Sequence, residues 1–239
     1  MYNNNNNYND NYTQSSVFGQ TELSVYFAKV FGWMFLGLFA TAATAYFTAN
    51  SDFLMGIVYS NIFVFFGIMI AEIALVVYLS ARITKIQYST AVFVFLLYAV
   101  LNGITFSVIL LIYTQTTIAS TFMITALTFG AMSLYGYITK TDLSRFRNIL
   151  FMGLIGLIIL SLVNIFLRSD TASWIISILG LFVFLGLTAY DTQKIKQLYY
   201  ATQNNLELQR KVAIRGALSL YLDFINLFLI LLRLFGRRR

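Results

Sequence analysis

The sequence predicts an all-α polytopic membrane protein of seven transmembrane helices, and three observations carry that prediction. Of 239 residues, 59% are hydrophobic and 10% charged, against roughly 25% charged in a soluble domain. Apolar runs long enough to cross ~30 Å of hydrocarbon recur along nearly the whole chain. Connections between the runs are short except before the last, so they belong to one bundle and leave no room for a sizeable soluble domain.

The chain opens MYNNNNNYNDNYTQSS, polar, low in complexity and without the basic and apolar stretches of a secretory signal. Residues 1–20 therefore read as a disordered tail ahead of a single transmembrane domain over 21–239. Seven apolar segments follow. The first, Val25 to Thr48, contains ATAATA, whose small residues offer a close-packing surface. The second, Phe53 to Ser80, holds Glu72 and leads into Arg82. A smaller polar stripe of Tyr98, Asn102 and Thr105 marks the third, Tyr88 to Tyr113, and the fourth, Ile118 to Ile138, ends at a basic linker. Glycines in FMGLIGLIIL give the fifth, Ile149 to Leu167, another packing surface. The sixth runs from Ala172 to Tyr190 with Asp191 at its edge, and the seventh from Val212 to Phe235. At ~1.5 Å per residue each can span with some tilt.

Basic residues set the expected orientation. Linkers two, four and six hold Arg82 and Lys85; Lys140, Arg145 and Arg147; and Lys194, Lys196, Arg210 and Lys211, whereas linkers one, three and five hold only Arg168. Bases collect on the cytoplasmic side. The even-numbered linkers and the N-terminus are expected there, and seven spans then place the C-terminus outside. Arg237, Arg238 and Arg239 run against the rule, so a re-entrant last helix with an internal C-terminus is the alternative.

Cysteine and histidine are both absent, which excludes disulfides, thiolate nucleophiles, imidazole bases and the usual zinc, copper and haem ligands. Proton chemistry falls to carboxylates. The formal charge of +7 sits beside apolar segments, where it sets topology and is no nucleic-acid footprint.

Of nine acidic residues, Glu72, Asp191 and Asp223 fall in or at the edge of spans. Counting ~1.5 Å per residue from Arg82 and Arg215 puts Glu72 and Asp223 about 12 to 15 Å inside the cytoplasmic edge, with Asp191 near it, so the three converge in depth. At 100° per residue, Arg215, Ser219, Asp223, Asn226 and Arg233 fall within an arc of about 80°. A charge facing lipid costs at least ~2.5 kcal/mol, so this stripe must face other helices or water. Segment seven is expected to be central. Lone polar residues such as Asn102 and Asn226 read most simply as interhelical glue, and the plain reading of the acids is a salt bridge to Arg82 or Arg215. Intramembrane acids are nevertheless functional by default.

Two carboxylates within a few ångströms in a partly dehydrated site cannot both ionise cheaply, and such a pair shares one proton. Deprotonated, it suits a hard divalent cation with oxygen ligands, calcium above all. Protonated, it is a neutral hydrogen-bonded latch, so the site couples proton release to cation entry or to helix separation.

Two stretches, LTAYDTQKI at 187–195 and ALSLYLDFINLFLILLRLFG at 217–236, resemble the paired hallmark motifs of the transmembrane Bax inhibitor motif family, bacterial branch. LNGITFS at 101–107, TKTDLSRF at 139–146 and IAEIALVVYLSAR around Glu72 are similar to further family segments. The resemblance covers everything after the tail. It implies a seven-helix bundle with the last helix central and surrounded by the other six, and a pH-sensitive calcium leak. It further implies that Asp191 and Asp223 are the pH-sensor dyad, that Glu72 is the acid of the second helix, and that Arg82 latches the closed state against an aspartate, with Lys85 able to share that role.

The expected function is thus a pH-sensitive calcium leak channel or transporter of the bacterial inner membrane, with a cation path along Glu72, Asp223, Asn226 and Ser219. Calcium is transported, or transiently bound by Asp191, Asp223 and Glu72, and no resident cofactor is expected. The partners are the lipid bilayer, calcium and protons. The alternative, from another class, is a regulatory membrane protein that binds a partner such as a membrane protease in stress or cell-death control. An enzyme is not expected: no histidine is available for a serine dyad, and no lysine in the last span for a Schiff base.

Overall fold

The structure, a computed structural model, describes residues 5–237, with side chains from residue 21 onward. The tail expected over 1–20 lies outside the fully described residues, as do Arg238 and Arg239. The described elements are helical: α1 (Asn5–Ala49), α2 (Asp52–Ser60), α3 (Ile62–Arg82), α4 (Tyr88–Ile112), α5 (Gln115–Ile138), a short 3-10 turn (Leu143–Phe146), α6 (Arg147–Leu167), α7 (Asp170–Thr202) and α8 (Leu206–Phe235). Seven helices are long and apolar enough to cross a membrane: α1 from Thr21, α3, α4, α5, α6 with its preceding turn, α7 and α8. The all-α, seven-span class read from the sequence is the observed one.

The second apolar segment departs from expectation, because it is two helices and not one. Asn61 is extended at φ −117°, ψ 105°, closes α2 and caps α3, and its side chain accepts from the Phe63 N–H at 2.9 Å. An amide so close to the backbone offers the chain an alternative to the helical hydrogen bond, and the apolar residues on either side conceal it from a hydropathy count. Only α3 is left to span.

Inside a bilayer, burying leucine against leucine gains little over lipid, so close backbone approach and hydrogen bonds hold the helices. ATAATA is such an approach. A Cβ on Gly103 of α4 would stand 2.5 Å from the Thr41 carbonyl oxygen of α1 and 2.7 Å from Thr44 Cβ. At Gly136 of α5 it would meet the Ala189 carbonyl of α7. The fifth-segment glycines fulfil half of their expected role, since Gly153 abuts Val183 while Gly156 has open space around it.

Helix α8 packs against α1, α3, α4, α5 and α7, whereas α6 packs on α7. More than half of the most apolar stretch of α8 is buried (56%), against none of α6. Tyr221 anchors it: fully buried, its hydroxyl lies 2.6 Å from Thr41 Oγ1, and its ring makes T-shaped contacts with Phe95 and Tyr98. Its opposite face carries the polar stripe. Helix α8 is also unbroken over 30 residues, so the last segment is one full-length helix and not a re-entrant one.

Candidate functional site

A cavity of about 860 Å³ lies between α3, α6, α7 and α8, with Tyr98 of α4 in its wall. The stripe read from the sequence, Arg215, Ser219, Asp223, Asn226 and Arg233, faces this cavity in full. Eighteen residues separate its two arginines, so the cavity follows α8 for about 27 Å, close to the thickness of a hydrocarbon core. Apolar side chains such as Val76, Leu157 and Ile158 make up much of the remaining wall.

Asp191 of α7 and Asp223 of α8 both line this cavity. They are not equivalent. Asp191 is half-buried, with the Lys194 ammonium, the Ser219 hydroxyl and the Arg215 guanidinium around it. Asp223 is 5% exposed, and its Oδ2 has no hydrogen-bond partner. Lys194 reaches Asp191 because residues three apart on a helix are neighbours. By sequence Lys194 reads as a topology signal, although its spacing from Asp191 is legible there.

Glu72 lines the same cavity from α3, but it is turned toward α4, where it accepts from Thr105 Oγ1 at 2.6 Å. Asn102 Nδ2 donates to Tyr98 Oη at 2.7 Å one turn away, so the Tyr98, Asn102 and Thr105 stripe of α4 backs the Glu72 side of the cavity. Among the described residues no three acidic side chains meet as a metal-ligand group. Asp191, Asp223 and Glu72, expected to share a metal, line one cavity without forming such a group. Equal depth fixes height along a helix and leaves rotation about its axis open, and that rotation separates Glu72 from the pair.

Arg82 is exposed at the C-terminal end of α3, where a cation complements the helix dipole, and it is not among the residues lining the cavity. The cations beside the aspartates are Lys194 and Arg215. Asn226 lines the cavity while its Nδ2 donates to the Leu222 carbonyl on its own helix at 2.8 Å.

Sequence reasoning missed a clamp next to the pair. Gln193 Nε2 donates to the Thr141 carbonyl and Gln193 Oε1 accepts from the Leu143 N–H, each at 2.8 Å, while Lys196 Nζ donates to the Tyr137 carbonyl at 3.0 Å. Two hydrogen bonds thus fasten the α5–α6 linker, and a third the end of α5, to α7 within a turn and a half of Asp191. In that linker Ser144 donates to Asp142 through its hydroxyl and its N–H, which holds the Asp142 carboxyl below the usual carboxylate range.

The chain is 50% identical over 229 residues to the inner membrane protein YbhL of Escherichia coli K12, covering 95% of this chain and 97% of that one. It is 47% identical over 214 residues to an uncharacterized protein of Borreliella burgdorferi, covering 90% and 92%. An uncharacterized membrane protein of Streptococcus pyogenes serotype M3 is 40% identical over 228 residues, covering 95% and 96%. The family described as inhibitor of apoptosis-promoting Bax1 matches residues 23–239, from the first spanning helix to the end of the sequence, and the chain belongs to that family.

Proposed function

We propose that this protein is a pH-sensitive calcium leak channel or transporter of the bacterial inner membrane. The observation that carries the reading is the Asp191 and Asp223 pair in the wall of a cavity that follows α8 for about 27 Å. The inner-membrane placement draws on the printed name of the Escherichia coli relative.

In this reading the two aspartates share one proton, which relieves the cost of burying two like charges side by side. Loss of that proton presents two negative charges to the cavity, and a calcium ion enters with carboxylate oxygens as ligands. Ser219 and Asn226, one turn to either side of Asp223, supply neutral oxygens along the same face. Glu72 is the next carboxylate on the path. Lys194 and Arg215 compete with the cation for Asp191 and so take the closed-state role that the sequence reading gave Arg82. Calcium occupancy accordingly falls as pH falls, since proton and cation use the same oxygens.

Proteoliposomes loaded with a calcium dye test this across a pH series. The unaltered chain is expected to pass calcium in a pH-dependent way, and Asp223→Asn and Asp191→Asn to lose the flux or its pH dependence. Variants that retain both sink the mechanism. The family description, an inhibitor, favours a second reading as a regulator of another membrane protein. Co-purification of a partner whose activity responds equally to the unaltered chain and to Asp223→Asn would favour it.

A further inference from the structure

On the far side of α7 and α8 from the aspartate pair, α1 and α5 touch through Phe27 and Tyr137, whose ring centroids are 4.9 Å apart in a T-shaped contact. Beyond that contact they leave a second cleft of about 560 Å³. Its walls are apolar and aromatic, including Phe31, Phe122, Phe129 and Phe224, and it extends from Ser24 to Leu38 along α1, about 21 Å. Phe35 and Leu134 at its rim are exposed, 65% and 58%, on the outer surface of the bundle. The cleft therefore opens sideways into hydrocarbon, where its natural occupant is an acyl chain and not water.

One buried, unpartnered hydroxyl breaks the apolar wall, whereas those of Ser24 and Thr192 in the same wall donate to carbonyls on their own helices. Ser133 is 4% exposed, lines the cleft, and its Oγ has no hydrogen-bond partner. A helical serine usually satisfies itself on the carbonyl one turn back, as Ser177 does on Ser173 at 2.8 Å. One turn beyond Ser133 lies Tyr137, and there the Lys196 ammonium sits 3.0 Å from the Tyr137 carbonyl and 5.1 Å from its ring centroid. An ammonium carries three donors, so this contact leaves Lys196 able to meet an anion at the mouth. From mouth to interior the order is cation, unpartnered buried hydroxyl, apolar slot. A phospholipid presents the complement in the same order: phosphate, ester carbonyl, acyl chain.

We propose that the α1–α5 cleft binds one anionic phospholipid from the adjacent leaflet, with its phosphate at Lys196, an ester carbonyl accepting from Ser133 Oγ, and an acyl chain along Ala126, Phe129 and Phe122. Thr192 and Phe224 line this cleft and directly follow Asp191 and Asp223 in sequence, so the bound lipid rests against the backbone that carries the pair. The lipid site does not depend on the calcium reading, and its test is a binding measurement.

The test is native mass spectrometry of the full chain released from detergent, titrated with dioleoyl phosphatidylglycerol or dioleoyl phosphatidylcholine. One phosphatidylglycerol is expected to survive at activation energies that strip phosphatidylcholine and all further lipids. Gly130→Leu fills the slot where a Cβ meets no atom within 4 Å, so it leaves the fold intact and weakens retention about tenfold or more. Ser133→Ala separates the lipid role from a structural one: it removes an orphaned hydroxyl, so thermal stability without lipid holds or rises while retention falls. Lys196→Gln should abolish the preference for phosphatidylglycerol. Equal retention in Gly130→Leu, no preference between the two lipids, or a chain dimer that excludes lipid would each overturn the proposal.

Discussion

Asp191 and Asp223 line one cavity but keep different company, and their substitutions should diverge. Asp223 Oδ2 is buried without a partner, a situation that costs roughly 1–3 kcal/mol. Asp223→Asn removes the charge at nearly constant volume, so thermal unfolding in detergent at neutral pH should occur at an equal or higher temperature than in the unaltered chain. Asp191→Asn deprives Lys194 and Arg215 of their counter-charge and should lower it; the reverse order would show that the charges are arranged otherwise. Stability and flux then part for Asp223→Asn, as expected where a site is strained for function. Gln193→Ala breaks two hydrogen bonds from α7 to the linker, at a cost of about 1–3 kcal/mol. It should raise amide exchange over residues 139–146 in particular. At this scale the α8 stripe was legible, because a fixed 100° step turns spacing into direction. The partners of those residues were not: Arg82, Lys194 and Arg215 are all bases near acids in sequence, and only packing distinguishes the one at an exposed helix end from the two in the cavity wall.

Between helices the glycines divide into two groups that the sequence does not separate. A Cβ on Gly103 or Gly136 would meet the backbone of a neighbouring helix, whereas one on Gly67 or Gly156 meets nothing within 4 Å. Gly103→Ala and Gly136→Ala force α4 from α1 and α5 from α7, an overpacking cost of about 1–3 kcal/mol each. Gly67→Ala and Gly156→Ala should instead be neutral or stabilising by up to about 1 kcal/mol, because alanine is the better helix former. Thermal unfolding of the four variants checks this, and a uniform response would show that the two close contacts are not what holds those helices. ATAATA was read correctly as a packing surface because small residues in a span have few other uses. Gly156 was over-read for the same reason, since helix α6 sits at the edge of the bundle with that residue facing outward. The break at Asn61 escaped notice because one polar residue hardly lowers the mean hydropathy of a long apolar run, although its backbone effect divides the run in two.

For the whole molecule the open quantity is which end lies on which side of the membrane. Arg215 and Arg233 stand 18 residues apart on one unbroken helix, about 27 Å, so the two guanidinium groups reach opposite interfaces of a hydrocarbon layer ~30 Å thick. Helix α8 is therefore long enough to cross completely. Arg215, at the end of α8 nearest Lys194, Lys196, Arg210 and Lys211, is expected on the basic and cytoplasmic side. Arg233, 18 residues farther on, belongs to the other. The terminal arginines pull the opposite way, but retaining them in the cytoplasm would require α8 to turn back within the bilayer, leaving backbone groups unpaired at several kcal/mol each. A continuous helix with nine bases in or flanking the three even-numbered linkers outweighs a short basic end. An alkaline phosphatase reporter fused after Arg239 should thus be active, as that enzyme is outside the cytoplasm, and a green fluorescent reporter at the same place should be dark. A fluorescent fusion with inactive phosphatase would invert the bundle or open its last helix, and Asp191 and Asp223 would then sample the opposite compartment's pH.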